Sequence, residues 1–376
     1  MADFSRLTEY LDSLSQRFGI PGCGCAVAVD GEVVYRHFTG FRDEEERLPV
    51  TENTTWWIYS ATKLFTCVAA LQLYEQGKLE LSDPVSKFLP EFASLTVRGA
   101  DGIMHPSEET LTIRHLLTMT GGLDYDLERP ALRRALENGA ESTRELVAAL
   151  AEDPLKFEPG THFLYSLCHD VLGAVIEVAS GQLLSDYVRE HITEPLGMRD
   201  TTFRPADAQL ARLAKQYIHL DEKGTHRPMG QGNRFRLSDS YDSGGAGLLS
   251  TVDDYVQLLS ALAMGGGSIL KPETVKLMHT PALNETQRAE FCSLRTAVRP
   301  YSYGLGVRTM VDNAGITAPV GEFGWDGAAG AYALADTTNR VALFYAQAVC
   351  QSYITYQYLH PGLRDALYQS LEDYHV

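Results

Sequence analysis

Long apolar runs are missing from this chain of 376 residues, and no stretch of about 18 or more apolar residues offers a membrane-spanning helix. Residues 1–9 carry no apolar core of the kind a secretory leader needs. Blocks of Lys or Arg are also missing, and the formal net charge is −17. That balance argues against nucleic acid and against an anionic membrane surface as partners. The acidic surface itself means solubility and names no substrate. Six cysteines, Cys23, Cys25, Cys67, Cys168, Cys292 and Cys350, are scattered without a framework. Cys23 and Cys25 are too close for a Cys-x-x-Cys motif, and no second pair completes a zinc site, so buried thiols in a reducing cytoplasm are expected. No metal or cofactor motif and no internal repeat is present. What the chain does have is enough apolar character, 44% of residues, for one large or two closely joined domains.

The chain is organised around Trp57-Ile58-Tyr59-Ser60-Ala61-Thr62-Lys63-Leu64-Phe65, followed by an apolar-periodic run ending at Gly77. Residues three apart on a helix share a face, so a helix beginning at Ser60 makes its hydroxyl a neighbour of the Lys63 amine. Free N–H groups and the positive dipole end at a helix N-terminus favour developing negative charge. A serine hydroxyl is a weak nucleophile until a base takes its proton, and a desolvated lysine can be that base. Taken alone, Ser-x-x-Lys equally describes a serine cap followed by a solvated lysine. Its companions decide.

Before it, residues 4–18 show helical spacing of apolar positions, Pro21-Gly22 breaks the helix, and two strands flank Asp30-Gly31, a hairpin signal. After Gly77, Leu81-Ser82-Asp83-Pro84-Val85 reads as a helix start with proline in the first turn. Residues 85–215 then read as an all-helical lobe, with helices at 112–122, 132–136, 143–151 and 170–180. The glycines of Gly244-Gly245-Ala246-Gly247 predict a turn with close backbone approach, and Ser250 or Thr251 caps a helix over 252–264. Strands are predicted at 303–310, 328–336 and 341–348, and a last helix at 361–371. The expected fold class is therefore α/β (α+β): an antiparallel sheet flanked by helices and closed by both termini. It is formed by residues 1–84 and 216–376, with the helical lobe 85–215 beside it and the active site at their junction.

Two further stretches carry chemistry. Tyr165, after the Pro159-Gly160 turn and before a helix, can shuttle a proton near Ser60 and Lys63, or be a half-buried tyrosine between lobes. The glycine-flanked strand start Trp325-Asp326-Gly327-Ala328 lets backbone approach a substrate. The N–H groups of Ser60 and Ala328 together make a candidate oxyanion hole, worth about 3–4 kcal/mol per donor. His115, His162 and His169 are read as structural, and no Gly-x-Ser-x-Gly elbow supports a Ser-His-Asp triad.

Ser60-Ala61-Thr62-Lys63, Thr112-Ile113-Arg114-His115-Leu116-Leu117-Thr118, Pro159-Gly160-Thr161 with Tyr165-Ser166, and Gly245-Ala246-Gly247-Leu248-Leu249-Ser250-Thr251 occur in this order. The pattern resembles the serine β-lactamase and penicillin-binding-protein superfamily over about residues 4–349, and within it the class C β-lactamase-like branch. That branch includes D-aminopeptidases, D-alanyl-D-alanine carboxypeptidases and family VIII carboxylesterases. The resemblance implies that Ser60 is the acylated nucleophile, Lys63 its general base and Tyr165 a partner in proton transfer. It implies substrate contacts from Leu167, Trp325, Asp326 and Gly327. Leu167 stands where the family has an amide-binding asparagine, and Trp325 where it has the cation of Lys-Thr-Gly. Both departures favour a carboxylesterase on small, neutral esters. A β-lactamase or D-amino-acid peptidase, an acyltransferase, and a non-catalytic descendant are the alternatives. The expected partner is a small-molecule ester or amide, with no cofactor and no metal.

Overall fold

The computed structural model describes residues 3–99, 102–350 and 352–372. Its centre is an eight-stranded antiparallel sheet. In chain order the strands are β1 (Gly22–Val29), β2 (Glu32–Asp43), β3 (Leu48–Pro49), β4 (Tyr301–Tyr303), β5 (Arg308–Met310), β6 (Phe323–Gly324), β7 (Tyr332–Asp336) and β8 (Val341–Gln347). In space they run β4-β5-β6-β7-β8-β1-β2-β3, so the two ends of the chain meet at the β8–β1 pair. Asp30 and Gly31 both have positive φ, 53° and 89°, as a type I′ hairpin turn requires. All eight residues of β1 are buried because both faces of the sheet are covered.

Helix α1 (Ser5–Phe18) buries Leu7, Leu11 and Leu14 and ends at Gly19 in the left-handed region, as its periodicity predicts. It packs with the final helix, α5 (His360–Leu371), while α4 (Val252–Ala263) packs on β8, β1 and β7. Thr251 caps α4, accepting from the Asp254 N–H at 3.1 Å. The central helices are α2 (Lys63–Glu75) and α3 (Cys168–Ser180), which pack on each other. From Lys63 to Leu73 every residue of α2 is buried. A helix apolar on all sides is a core helix, and its one cation therefore sits in the interior.

Several expectations are corrected. The region 85–215 is not all helix: Thr96–Arg98 and Met104–Pro106 form a small hairpin. Pro84 is extended and precedes a 3₁₀ turn at Val85–Lys87 instead of opening an α-helix. The run 303–310 is two strands, because the chain reverses at residues 304–307 and Gly306 takes φ +82°. Strand β7 starts at Tyr332, since residues 327–331 close a turn with Gly327 N–H on the Ala331 carbonyl at 2.8 Å. All six cysteines are free. Among the described residues no single helix is long and apolar enough to cross a membrane.

The β4–β5 turn presses on the central helices. A Cβ on Gly306 would lie 2.0 Å from Cys67 Sγ and 2.9 Å from His169 Nε2. Gly306→Ala is expected to lower unfolding free energy by roughly 2–4 kcal/mol, from backbone strain plus overpacking. Urea denaturation followed by tryptophan fluorescence reads this out, and an unshifted midpoint would show that the turn can move away.

Candidate active site

Ser60 is placed by the backbone on either side of it. The pair Trp56–Trp57 and Leu249–Ser250 forms a short antiparallel ladder, and the Ile58 N–H donates to the Leu248 carbonyl at 3.1 Å. Tyr59 follows with φ +45°, a conformation that costs a tyrosine on the order of 1–3 kcal/mol. It is held there by full burial, by its hydroxyl on Gln216 Oε1, and by the edge of Phe235 at 5.4 Å. Ser60 lies on a 3₁₀ turn, Tyr59–Thr62, and α2 begins only at Lys63. In 3₁₀ geometry residues three apart eclipse, which sets Lys63 directly against Ser60. Nζ lies 3.3 Å from Oγ.

Lys63 has no exposed surface. Its Nζ lies within hydrogen-bond reach of the Gly245 carbonyl at 2.8 Å, of Ser60 Oγ, and of the Tyr125 hydroxyl at 3.4 Å. It also lies 4.7 Å from the centroid of the Tyr165 ring and 5.3 Å from that of Tyr125. The aromatic rings continue in a stack: Tyr125 on Tyr165 at 5.6 Å and Tyr165 on Trp325 at 5.4 Å. Trp325 Nε1–H donates to the Tyr165 hydroxyl at 3.0 Å.

Three residues around Lys63 escaped the sequence reading. Tyr125 is one of 19 tyrosines, and nothing in its neighbours marks it. Gly245 was read as a close-approach glycine, but its carbonyl as a lysine acceptor carries no sequence signature. A Cβ there would lie 2.5 Å from Asp170 Oδ2 and 3.1 Å from the Tyr125 hydroxyl, so only glycine fits. Asp170, fully buried behind it, accepts from the Tyr241 hydroxyl at 2.8 Å and Ser243 Oγ at 2.6 Å. Burial raises the Asp170 carboxyl, against the opposing pull of these hydrogen bonds and of the Lys63 charge. Burial first, and then the Asp170 charge, hold the Tyr125 phenol well above its ordinary range, so it is a neutral hydroxyl.

The opposite wall is the segment Trp325 to Ala328. Gly327 passes so close to the Ile58 carbonyl that a Cβ would lie 2.2 Å from its oxygen. The Tyr356 hydroxyl donates to the Gly327 carbonyl at 2.8 Å. Ser60, Tyr165, Leu294, Trp325, Ala328 and Tyr353 are among the residues that line a cleft of about 310 Å³. Asp326 and Gly327 belong to the same wall, and Asp326 is paired with Arg295 and, at 2.9 Å, with Arg308. Burial would raise its carboxyl, but the two guanidiniums more than offset that and hold it well below the usual carboxylate range.

Leu167 is the one proposed contact that the structure does not bring to the cleft. It is 2% exposed, packs into the main core, and precedes α3 with its N–H on the Asp124 carbonyl. An apolar side chain at that position gains more by burial than by facing a polar site. Of the three histidines singled out in the sequence, His162 pairs with Glu290 at 2.6 Å and His169 with Cys67 Sγ at 3.1 Å. His115 closes a capping box with Thr112. No group of three or more His, Cys, Asp or Glu side chains able to hold a metal occurs among the described residues.

Because Gly327 and Ile58 fix the two walls at contact distance, Gly327→Ala is expected to push them apart. Esterase turnover should fall at least tenfold, as misplacement of reacting groups by about 1 Å costs more than that. Circular dichroism should stay native, and full turnover in this variant would show that the contact does not set the site.

Residues 7–348 match the profile of the family described as Beta-lactamase. Esterase EstB of Burkholderia gladioli is 33% identical over 353 residues, covering 87% of this chain and 85% of its own. Acyltransferase calJ of Penicillium decumbens is 33% identical, covering 79% and 76%. Among solved structures, EstCE1, described as a hydrolase with promiscuous acyltransferase activity, superposes with a TM-score of 0.80 at 28% identity, covering 96% of this chain and 97% of its own. Unliganded simvastatin synthase of Aspergillus terreus, as its selenomethionyl derivative, gives 0.83 at 25%, covering 99% and 100%. The chain belongs to the Beta-lactamase family.

Proposed function

We propose that the protein is a serine hydrolase, a carboxylesterase on small esters, that works through an acyl-enzyme on Ser60. The observation that carries this reading is the fully buried Lys63 side chain, with Nζ 3.3 Å from Ser60 Oγ. A lysine placed there has no surface role to fill, and of its two hydroxyl neighbours Ser60 is the one that lines the cleft. Lys63 acts as the neutral amine: it takes the Ser60 proton as Oγ attacks the ester carbonyl and so becomes the ammonium. The N–H groups of Ser60 and Ala328 receive the oxyanion. Tyr165 gives its hydroxyl proton to the leaving alcohol and takes the proton held by Lys63 in exchange, and the Trp325 indole N–H shares the negative charge that builds on the Tyr165 oxygen meanwhile. Water then repeats the sequence and releases the acid. Tyr125, as a neutral hydroxyl, keeps Lys63 aimed at Ser60.

The residues come from both parts of the chain. Ser60, Lys63, Trp325, Asp326, Gly327 and Ala328 belong to the sheet-bearing part, 1–84 and 216–376. Tyr125 and Tyr165 belong to the mainly helical part, 85–215, so the site lies at their junction. Trp325 supplies a neutral donor in place of a cation, and the stacked rings make an apolar wall, which suits an acyl group better than a zwitterionic peptide. Acyl transfer to an alcohol is the second reading. It needs only an alcohol in place of the water, and acyltransferase relatives of this chain support it.

Ser60→Ala is expected to abolish hydrolysis of 4-nitrophenyl butyrate and labelling by a fluorophosphonate. Adding a short alcohol to the wild type should divert acyl groups into a new ester detectable by mass spectrometry. Hydrolysis that survives Ser60→Ala would end the acyl-enzyme reading.

The two tyrosines separate by role. Tyr125→Phe removes one of the hydroxyl partners of Lys63 and should cut kcat roughly tenfold to a hundredfold with KM little changed. Tyr165→Phe should cost more, since it removes a proton carrier. The reverse order would exchange their assignments.

A further inference from the structure

Among the described residues lining the cleft with Ser60, Arg295 is the only cation. It does not come from the position that the family's Lys-Thr-Gly would fill but from the stretch after the helix Glu285–Ser293. It heads a file of four alternating charges that runs from the cleft into the core. Arg295 pairs with Asp326, Asp326 with Arg308 at 2.9 Å, and Arg308 with Glu322 at 3.5 Å. Side-chain exposure falls along the file from 19% for Arg295 to 8%, 2% and 0%. The positive end therefore faces the substrate.

Asp326 does not cancel that end. Its Oδ1 is taken by Arg308, and its Oδ2 by Arg295 with His360 Nδ1 3.8 Å away, so both oxygens point along the file. The remaining charges are occupied behind it. Glu322 accepts from the Tyr301 hydroxyl at 2.8 Å, and Arg364 is paired with Asp365 at 2.8 Å. Asp326 engages one Arg295 nitrogen, and the guanidinium is packed over the Tyr356 ring at 4.6 Å. A guanidinium has five N–H donors in a planar fork, so donors remain for a second acceptor. An ion pair that shields the arginine from only one side leaves a site for a planar anion on the other.

We infer that Arg295 is an anion subsite of the cleft, and that the preferred substrates are esters carrying a free carboxylate, such as half-esters of short dicarboxylic acids. This rests on the hydrolase reading and deepens it. The aromatic wall takes the carbon chain and Arg295 takes the far carboxylate. In a chain with a net charge of −17, such a substrate is otherwise repelled, so a local cation carries the selectivity.

The test compares 4-nitrophenyl esters matched in length: hemisuccinate and hemiglutarate against butyrate and valerate. A second arm places the carboxylate on the leaving group, with 4-acetoxybenzoate against 4-nitrophenyl acetate. The ratio of kcat/KM, anionic over neutral, is expected to fall about tenfold in Arg295→Gln and to recover in part in Arg295→Lys. Whichever arm shows the fall locates the carboxylate on the acyl or the alcohol side. In the wild type, added salt should raise KM for the anionic ester and leave the neutral one unmoved, a measurement that does not depend on the variants folding. Ser60-dependent hydrolysis of neutral esters with a ratio that neither Arg295 substitution nor salt changes would overturn the inference and leave the hydrolase reading standing. Hydrolysis that persists in Ser60→Ala would instead remove the reading beneath it.

Discussion

The amino group of Lys63 is buried, and the rest of the site follows from what that demands. A polar amine taken out of water needs hydrogen-bond partners and polarizable surface within a few ångströms. Here a backbone carbonyl, two hydroxyls and two aromatic rings supply them. They belong to four residues, Ser60, Tyr125, Tyr165 and Gly245, and the last three come from separate stretches of chain, so the lysine works as a pin. The turn at Gly245, the loop carrying Tyr125, and Tyr165 before α3 all meet at this one buried amine.

Aromatic stacking extends that constraint across the cleft. Tyr125, Tyr165 and Trp325 form a continuous row whose far end reaches the strand that closes the opposite wall. The Trp325 indole N–H donates to the Tyr165 hydroxyl, so a neutral donor occupies a place where charge is expected. Arg295 brings a cation to the edge of the cleft, with Asp326 and Arg308 behind it. One wall of the cleft is thus aromatic and one edge carries a cation.

The close contacts explain why so many glycines border the site. Gly245 passes between Asp170 and Tyr125, Gly327 touches the Ile58 carbonyl, and Gly306 leaves room for Cys67 and His169. Each lets two backbones, or a backbone and a buried side chain, come closer than a methyl group allows. Tyr59 bears strain of the opposite kind, a bulky residue in a left-handed conformation that burial and a hydrogen bond to Gln216 hold in place. Pre-set strain beside the nucleophile keeps Ser60 from relaxing into an ordinary helix start.

Local patterns were enough to give the hairpin at Asp30-Gly31, helix α1, the Thr251 cap, and the Ser60–Lys63 pair. In each case the deciding interaction lies within a few residues, where periodicity, turn chemistry and caps are written directly. The order of motifs along the chain also gave the family and the sheet closed by both termini. What the sequence did not show is what depends on distant chain. Tyr125 lies 62 residues from the lysine it touches, and the Gly245 carbonyl 182 residues away. The seat of Leu167 in the core and the placing of Arg295 at the cleft edge are of the same kind. A residue's type announces the chemistry it is able to do. Whether it meets a partner is set by packing, which brings distant segments together to bury apolar surface and to satisfy the few charges enclosed with it.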